Sequence, residues 1–257
     1  MKEIEVETTK RIMQRFWQDF PLDLDVAVIG AGPSGMVAAK YIAQAGKKVG
    51  IFERDLSIGG GIWGGGMLFP VIVVQDDVHP ILRDFDIEGR AAGDGYCTLN
   101  AVEFATKLGS KAIDSGVKFL NGIEVEDLII KNDRVSGVVI NWSAVSAAKL
   151  HVDPLGIKTK TVIDATGHPC EVCKMILKRR HKLATKSGGI EGERAMDVEN
   201  AEKFVVNNVK EVYPNLWVAG MAVSAVFGGP RMGPIFGGMI SSGKRAAEEV
   251  LKRLPKE

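Results

Sequence analysis

The chain has 257 residues, with 33 Lys plus Arg against 32 Asp plus Glu, so it can bury a large core and is close to neutral overall. That balance leaves no net field to draw in nucleic acid or an anionic membrane, and three cysteines build no disulfide framework, as expected for a reducing cytoplasm. The N-terminus is acidic without an apolar signal core, and the uncharged stretches 56–75 and 212–230 are broken by Gly and Pro, which excludes bilayer spans.

The first predicted element is a helix over 9–20 with Ile12, Met13, Phe16, Trp17 and Phe20 on one face, a stripe that suits either a core or an oligomer contact. An apolar strand over 26–29 then runs into Gly30-Ala31-Gly32-Pro33-Ser34-Gly35, which opens a small-residue helix over 36–45. A second strand, 49–52, ends at Glu53, 21 residues after Gly32. Strand, G-x-G-x-x-G, helix, strand and acid, in that order over 25–54, form a dinucleotide fingerprint. The first glycine makes the tight turn, the second lets a pyrophosphate approach the backbone, and the third lets helix and sheet pack closely. The helix N-terminus offers N–H groups to phosphates. Glu53 is placed to accept hydrogen bonds from ribose hydroxyls and repels a 2′-phosphate, favouring NAD or FAD over NADP.

Six glycines around Ile62 and Trp63 read as too flexible for a regular element, and 59–98 reads as an irregular segment on the substrate side. His79 and Cys97 within it carry no assignment. Asn100 caps a helix over 100–115 that Gly116 stops. Strands follow over 117–120 and 125–130, and Asn132-Asp133 turns the latter into a hairpin with 135–142. A polar insertion over 143–160 precedes a buried strand over 161–165. A short strand over 216–219 and a C-terminal helix over 234–254 complete the pattern.

Glu53-Arg54 with Gly59-Gly60, the strand and turn Val162-Ile163-Asp164-Ala165-Thr166-Gly167, and Leu216-Trp217-Val218-Ala219-Gly220 resemble the glutathione-reductase type of flavoprotein fold. The expected class is therefore α/β: a three-layer FAD/NAD(P)-binding fold with a central parallel sheet and an antiparallel β-hairpin insertion over 123–160, forming one dinucleotide-binding domain over 1–257. In that fold an Asp usually follows the last glycine and binds the ribityl chain of FAD; here it is Met221, whose thioether lacks a carboxylate's acceptors. The expected ligand contains ADP and is not FAD.

With Asn141-Trp142-Ser143-Ala144-Val145, His151-Val152-Asp153-Pro154, Ala165-Thr166-Gly167-His168 and Gly228-Gly229-Pro230-Arg231-Met232-Gly233-Pro234 added, the chain resembles the thiamine thiazole synthases over nearly its whole length. The resemblance implies an enzyme that converts NAD, glycine and a sulfur source to an ADP-linked thiazole carboxylate. Ser34, Glu53, Arg54, Gly61, Val125, His151, Val152, Asp153 and Met221 then hold the dinucleotide, and Arg231 holds the glycine carboxylate. It also implies that Asp153 and His168 bind Fe(II) from neighbouring subunits of a homo-octamer. One branch of the family has a sulfur-donating cysteine at the position of His151. An imidazole has no sulfur to give, so the sequence resembles the sulfide-dependent, iron-requiring branch, with His151 and Asp153 as catalytic candidates.

Read from the residues alone, Asp153 and His168 are too loosely spaced to make a metal signature. His168 nevertheless follows a turn at the carboxyl end of a strand, where α/β folds place ligands. His151 is either a third ligand or an orienting group. Cys170 and Cys173 form C-x-x-C, open to a redox pair, a sulfur relay, a soft metal contact, or two incidental thiols on one helical turn. The rival functions are an FAD-dependent oxidoreductase of the same fold and a catalytically idle NAD-binding protein.

Overall fold

The computed structural model describes residues 3–255. Helix α1 (Ile4–Asp19) buries none of its residues. Ile12, Met13 and Trp17 are 64%, 56% and 66% exposed, so the stripe is not core. Only its end is packed, where Phe16 stacks on Trp142 at 6.1 Å between ring centroids.

The fingerprint forms as expected from β1 (Asp23–Ile29), α2 (Pro33–Gln44) and β2 (Val49–Glu53). Proline at the first turn of α2 suits a position whose N–H has no partner within the helix. The glycine run, expected to be irregular, closes into a 3₁₀ turn over Gly60–Gly64, tied back by the Gly59 N–H donating to the Ala31 carbonyl at 2.8 Å.

Residues 71–98 are not irregular. Strand β3 (Val71–Gln75), a 3₁₀ turn (Asp76–Val78), α3 (His79–Arg83), β4 (Arg90–Gly93) and β5 (Tyr96–Asn100) build a separate three-stranded antiparallel sheet in the order β3-β5-β4. Helix α4 (Ala101–Asp114) starts at Asn100, whose side chain accepts from the Val102 and Glu103 N–H groups, the expected cap.

Strand β6 (Lys118–Asn121) precedes the hairpin of β7 (Ile123–Lys131) and β8 (Arg134–Trp142). Asn132 and Asp133 turn it with φ of 51° and 56°, the left-handed pair that a two-residue hairpin loop needs. Within the expected insertion only α5 (Ser143–Ala147) and an exposed loop are found before β9 (Leu155–Asp164) begins. The ten residues of β9 outrun the expected strand because its first half pairs antiparallel with β8.

The remainder holds α6 (Glu171–Lys178), β10 (Arg194–Met196), α7 (Val198–Asn207), β11 (Glu211–Tyr213), β12 (Leu216–Val218), α8 (Met221–Phe227), β13 (Pro230–Arg231) and α9 (Gly237–Arg253). Helix α9 starts three residues later than expected from Pro234, because the Pro234 carbonyl accepts from Val73 N in a bridge to β3.

The central sheet runs β11-β12-β9-β1-β2-β6, with the β7–β8 hairpin joined through β8 to β9. Strands β12, β9, β1, β2 and β6 are mutually parallel, so their carboxyl ends gather on one edge. Val26, Val28, Ile51, Val162 and Ile163 are fully buried in it, as expected of strands covered on both faces. Among the described residues no helix is long and apolar enough to cross a membrane.

Candidate functional site

A cleft of about 590 Å³ opens at the carboxyl edge of the sheet, between the glycine loop, the end of β2, the turn after β9 and the start of α9. Loops gather where parallel strands end, which is why α/β folds bind ligands there.

Gly30 leaves β1 with φ of 100°, a conformation that a side chain resists, and a Cβ there would lie 2.6 Å from the Ala165 carbonyl oxygen. The loop is therefore clamped against β9, and α2 begins directly behind it, aiming its first N–H groups at the cleft.

Glu53 lines the cleft and is only 8% exposed. One carboxylate oxygen accepts from Ala31 N at 2.8 Å and the other from Asp55 N at 3.0 Å. A carboxylate has about four acceptor sites, so two remain for ribose hydroxyls. Ser34, Arg54, Gly61, Val125, Met221 and His168 line the same cleft. Arg54 is braced by Glu171, Nη1 to Oε1 at 2.8 Å, and the Glu171 carboxylate holds its pKa above the ordinary value.

The turn carrying His168 is built on Asp164, which is fully buried at the end of β9. Its carboxylate accepts from the Thr166 N–H at 3.1 Å, the Thr166 hydroxyl at 2.7 Å and the Cys173 N–H at 3.0 Å, stapling the turn to α6. Burial outweighs these donors and holds the Asp164 carboxyl above the usual range. Cys170 and Cys173 are buried beside it. Burial first, then the Asp164 charge, pushes Cys170 up to about 12 and Cys173 well above its ordinary value. Thiols held protonated in this way are poor nucleophiles, which favours the incidental reading of C-x-x-C.

His168 points Nδ1 at Glu193 Oε1, 2.6 Å away, and Glu193 Oε2 lies 3.7 Å from Arg231 Nε. The pairing of β10 with β13 brings these groups together, since Glu193 immediately precedes β10 and Arg231 ends β13. No local pattern marks Glu193. A carboxylate on Nδ1 fixes the ring and leaves Nε2 for a ligand, as in carboxylate–histidine–metal arrangements.

His151, Val152 and Asp153 lie elsewhere, in the exposed loop before β9, and do not line the cleft. The loop is tied by Asn141 Nδ2, which donates to the Val152 carbonyl at 3.1 Å. Arg231 also stands off the lining, one residue from Met232, which is part of it. Sequence reasoning missed Glu202 too, a buried carboxyl on α7 whose Oε2 accepts from Gly238 N at 2.6 Å, behind the cleft wall formed by Phe236 and Met239.

The profile of the Thi4 family matches residues 7–236. The chain belongs to the Thi4 family. Among relatives of the Thi4 chain, the thiamine thiazole synthase of Pyrococcus horikoshii is 54% identical over 252 residues, covering 97% of this chain and 98% of the relative. That of Methanothermobacter thermautotrophicus is 46% identical over 257 residues, covering 99% and 100%. The crystal structure of Thermovibrio ammonificans THI4 superposes with a TM-score of 0.96 at 43% identity, over 99% of this chain and 100% of that one.

Proposed function

We propose that this Thi4 chain is a sulfide-dependent thiamine thiazole synthase, acting in the cytoplasm on NAD, glycine and sulfide with Fe(II) to make the ADP-linked thiazole carboxylate. The observation that carries this reading is the cleft itself: a fingerprint loop and a buried Glu53 carboxylate suited to an adenosine ribose, with Met221 where an FAD enzyme needs an acid. His151 supplies an imidazole and no sulfur, so the sulfur must enter from solution.

Glu53 and the N-terminus of α2 anchor the ADP half and hold the second ribose toward the β9 turn. Met221, Met232 and Met239 on the cleft wall exclude water from that end. Arg231 takes the glycine carboxylate in its planar fork. The donor set suits an iron(II) ion, since Glu193 presents His168 with Nε2 outward, and the exposed Asp153 is available to the same ion from a neighbouring copy in a homo-octamer. Iron(II), when bound, supplies Lewis acidity toward the sugar oxygens. His151 and Asp153, brought to the site on the same exposed loop of the neighbouring copy, are the candidates for moving protons during ring closure.

Anoxic incubation with NAD, glycine, sulfide and Fe(II) should release nicotinamide and yield a product with the mass of the ADP-thiazole carboxylate. Unchanged NAD with iron verified in the protein would refute the proposal. Glu53→Gln keeps one acceptor for the Ala31 N–H but loses the charge facing the ribose. It should weaken NAD binding by about 10–100-fold, the equivalent of about 1.5–3 kcal/mol of charge-assisted hydrogen bonding, in a calorimetric titration. Glu193→Gln should lower Fe(II) affinity by about 10–100-fold while leaving NAD affinity intact. Equal loss of both would mean that Glu193 merely holds the loop together.

A further inference from the structure

The two residues left without a role in the sequence, His79 and Cys97, meet Asp76 away from the cleft. His79 Nε2 is 3.0 Å from Cys97 Sγ, Cys97 Sγ is 3.3 Å from Asp76 Oδ1, and His79 Nε2 is 3.7 Å from that same oxygen. Among the described residues this is the one group of three such side chains whose ligand atoms all lie within 4.8 Å of one another, and neither Asp153 nor His168 belongs to it. None of the three lines the cleft.

Strand pairing creates the cluster. Val74 of β3 pairs with Cys97 of β5, and Asp76 N donates to the Gly95 carbonyl at 2.9 Å, so the chain leaving β3 turns across Cys97. Helix α3 starts at His79 on the far side of that turn. Cys97 is buried, while the Asp76 and His79 side chains are 54% and 40% exposed, which gives a covered sulfur under an open mouth.

Two chemistries fit a Cys, a His and an Asp in contact. In a proton relay the carboxylate sits on the imidazole nitrogen remote from the sulfur. Here Asp76 Oδ1 and Cys97 Sγ both face Nε2, so the three donor atoms converge on one point instead of lying in a line. A tetrahedral ion at about 2.0–2.1 Å from nitrogen, about 2.0–2.2 Å from oxygen and about 2.3 Å from sulfur sets donor–donor edges of roughly 3.3–3.6 Å. The observed edges are 3.0 Å between nitrogen and sulfur, 3.3 Å between oxygen and sulfur and 3.7 Å between nitrogen and oxygen, so binding needs the imidazole and thiol to part by roughly half an ångström and the other two edges to adjust by about 0.3 Å.

We propose that Asp76, His79 and Cys97 form a binding site for a single borderline-soft divalent cation of the Zn(II), Fe(II) or Co(II) kind, separate from the cleft, with a fourth position open to solvent. The mixed sulfur, nitrogen and oxygen set excludes Mg(II) and Ca(II) as preferred occupants. On binding, the Cys97 thiol proton leaves to water, the S–metal bond forms without change of oxidation state, and His79 ligates as the neutral ring protonated on Nδ1.

Anoxic Co(II) titration of the full-length protein tests this, because thiolate ligation gives a near-ultraviolet sulfur-to-cobalt charge-transfer band that oxygen and nitrogen ligands do not. The band should saturate at one cobalt per chain, vanish in both Cys97→Ser and His79→Gln, and survive in the Cys170→Ser/Cys173→Ser protein. His79 is half-exposed, so its variant reports on ligation even where Cys97→Ser disturbs packing. No band in the parent protein, a band that persists in His79→Gln, or one that disappears with Cys170 and Cys173 would overturn the site. The readout is independent of thiazole formation, so its failure leaves the function proposed above untouched.

Discussion

Gly35→Ala should lower the free energy of unfolding by about 3 kcal/mol or more, whereas Gly32→Ala, three residues earlier, should leave stability within about 0.5 kcal/mol. A Cβ at Gly35 would stand 2.2 Å from the Gly30 carbonyl oxygen and 3.3 Å from both Ala165 Cβ and Val28 Cγ1. That carbonyl has nowhere to go. Gly30 N donates to Phe52 O at 2.8 Å, and Ala165 N donates to the carbonyl of the preceding Ile29 at 2.9 Å, so the loop is pinned to β2 on one side and β9 on the other. Relief therefore requires lifting α2 off the sheet, which opens the core around Val28, Met36 and Val37. At Gly32 an added Cβ meets nothing within 4 Å and the backbone is already extended, with φ of −73°. On the function proposed above, the methyl instead fills the space through which the NAD pyrophosphate would reach the α2 N-terminus, and NAD affinity should fall by about 10–100-fold. Urea unfolding paired with NAD titration separates the two variants. Equal stability of both proteins would show that the Gly30–Gly35 contact is not the constraint inferred here.

Between about pH 4.5 and pH 7 the protein should lose about 3 kcal/mol of stability through Glu202 alone, and Glu202→Gln should remove that part of the slope. Burial first, and then the nearby Asp77 charge, raise the Glu202 carboxyl from 4.5 to about 7, against the Gly238 N–H that favours the charged form. Its second oxygen has no hydrogen-bond partner among the described residues, so ionisation leaves a charge only half satisfied in the interior. A folded-state pKa above the unfolded one means that the native chain binds the proton more tightly. The stabilisation is complete below about 4.5 and is lost as pH rises through about 7. Asp164, also held up by burial, adds a slope of the same sign in both proteins, so the difference between them isolates Glu202. Melting curves from pH 5 to 8 should show a differential shift of about 6–12 °C. Parallel curves for the parent and Glu202→Gln proteins would mean that the carboxyl titrates at an ordinary value. Glu202 supports the first turn of α9, where Met239 and the preceding Phe236 wall the cleft, so the same titration should loosen the ligand site above neutrality.

How far the sequence reached depends on the range of the forces involved. The fingerprint, the Asn100 cap and the Asn132-Asp133 hairpin were legible because each is decided by neighbours along the chain. A glycine at a turn, a side-chain oxygen two residues from the N–H it accepts and alternating apolar residues act within one element. The resemblance to the thiamine thiazole synthases was legible for the same reason, since its motifs are short contiguous runs, and the match over residues 7–236 agrees with it. The sheet of β3, β4 and β5 was not legible. All four residues of β4 are exposed and it shows no alternation, so its strand character comes entirely from its partner β5. The stripe on α1 is apolar but uncovered, because amphipathicity records that a face needs burial and not what buries it.

The sequence by itself determined the βαβ unit, Ser34 and Glu53 on the cleft, and the family. Only the tertiary structure decided that Glu193 bridges His168 and Arg231, that Glu202 lies buried under α9, and that Asp76, His79 and Cys97 converge. These groups sit far apart in the chain or in strands whose register no local pattern sets, and the charges and lone pairs that define them act through space.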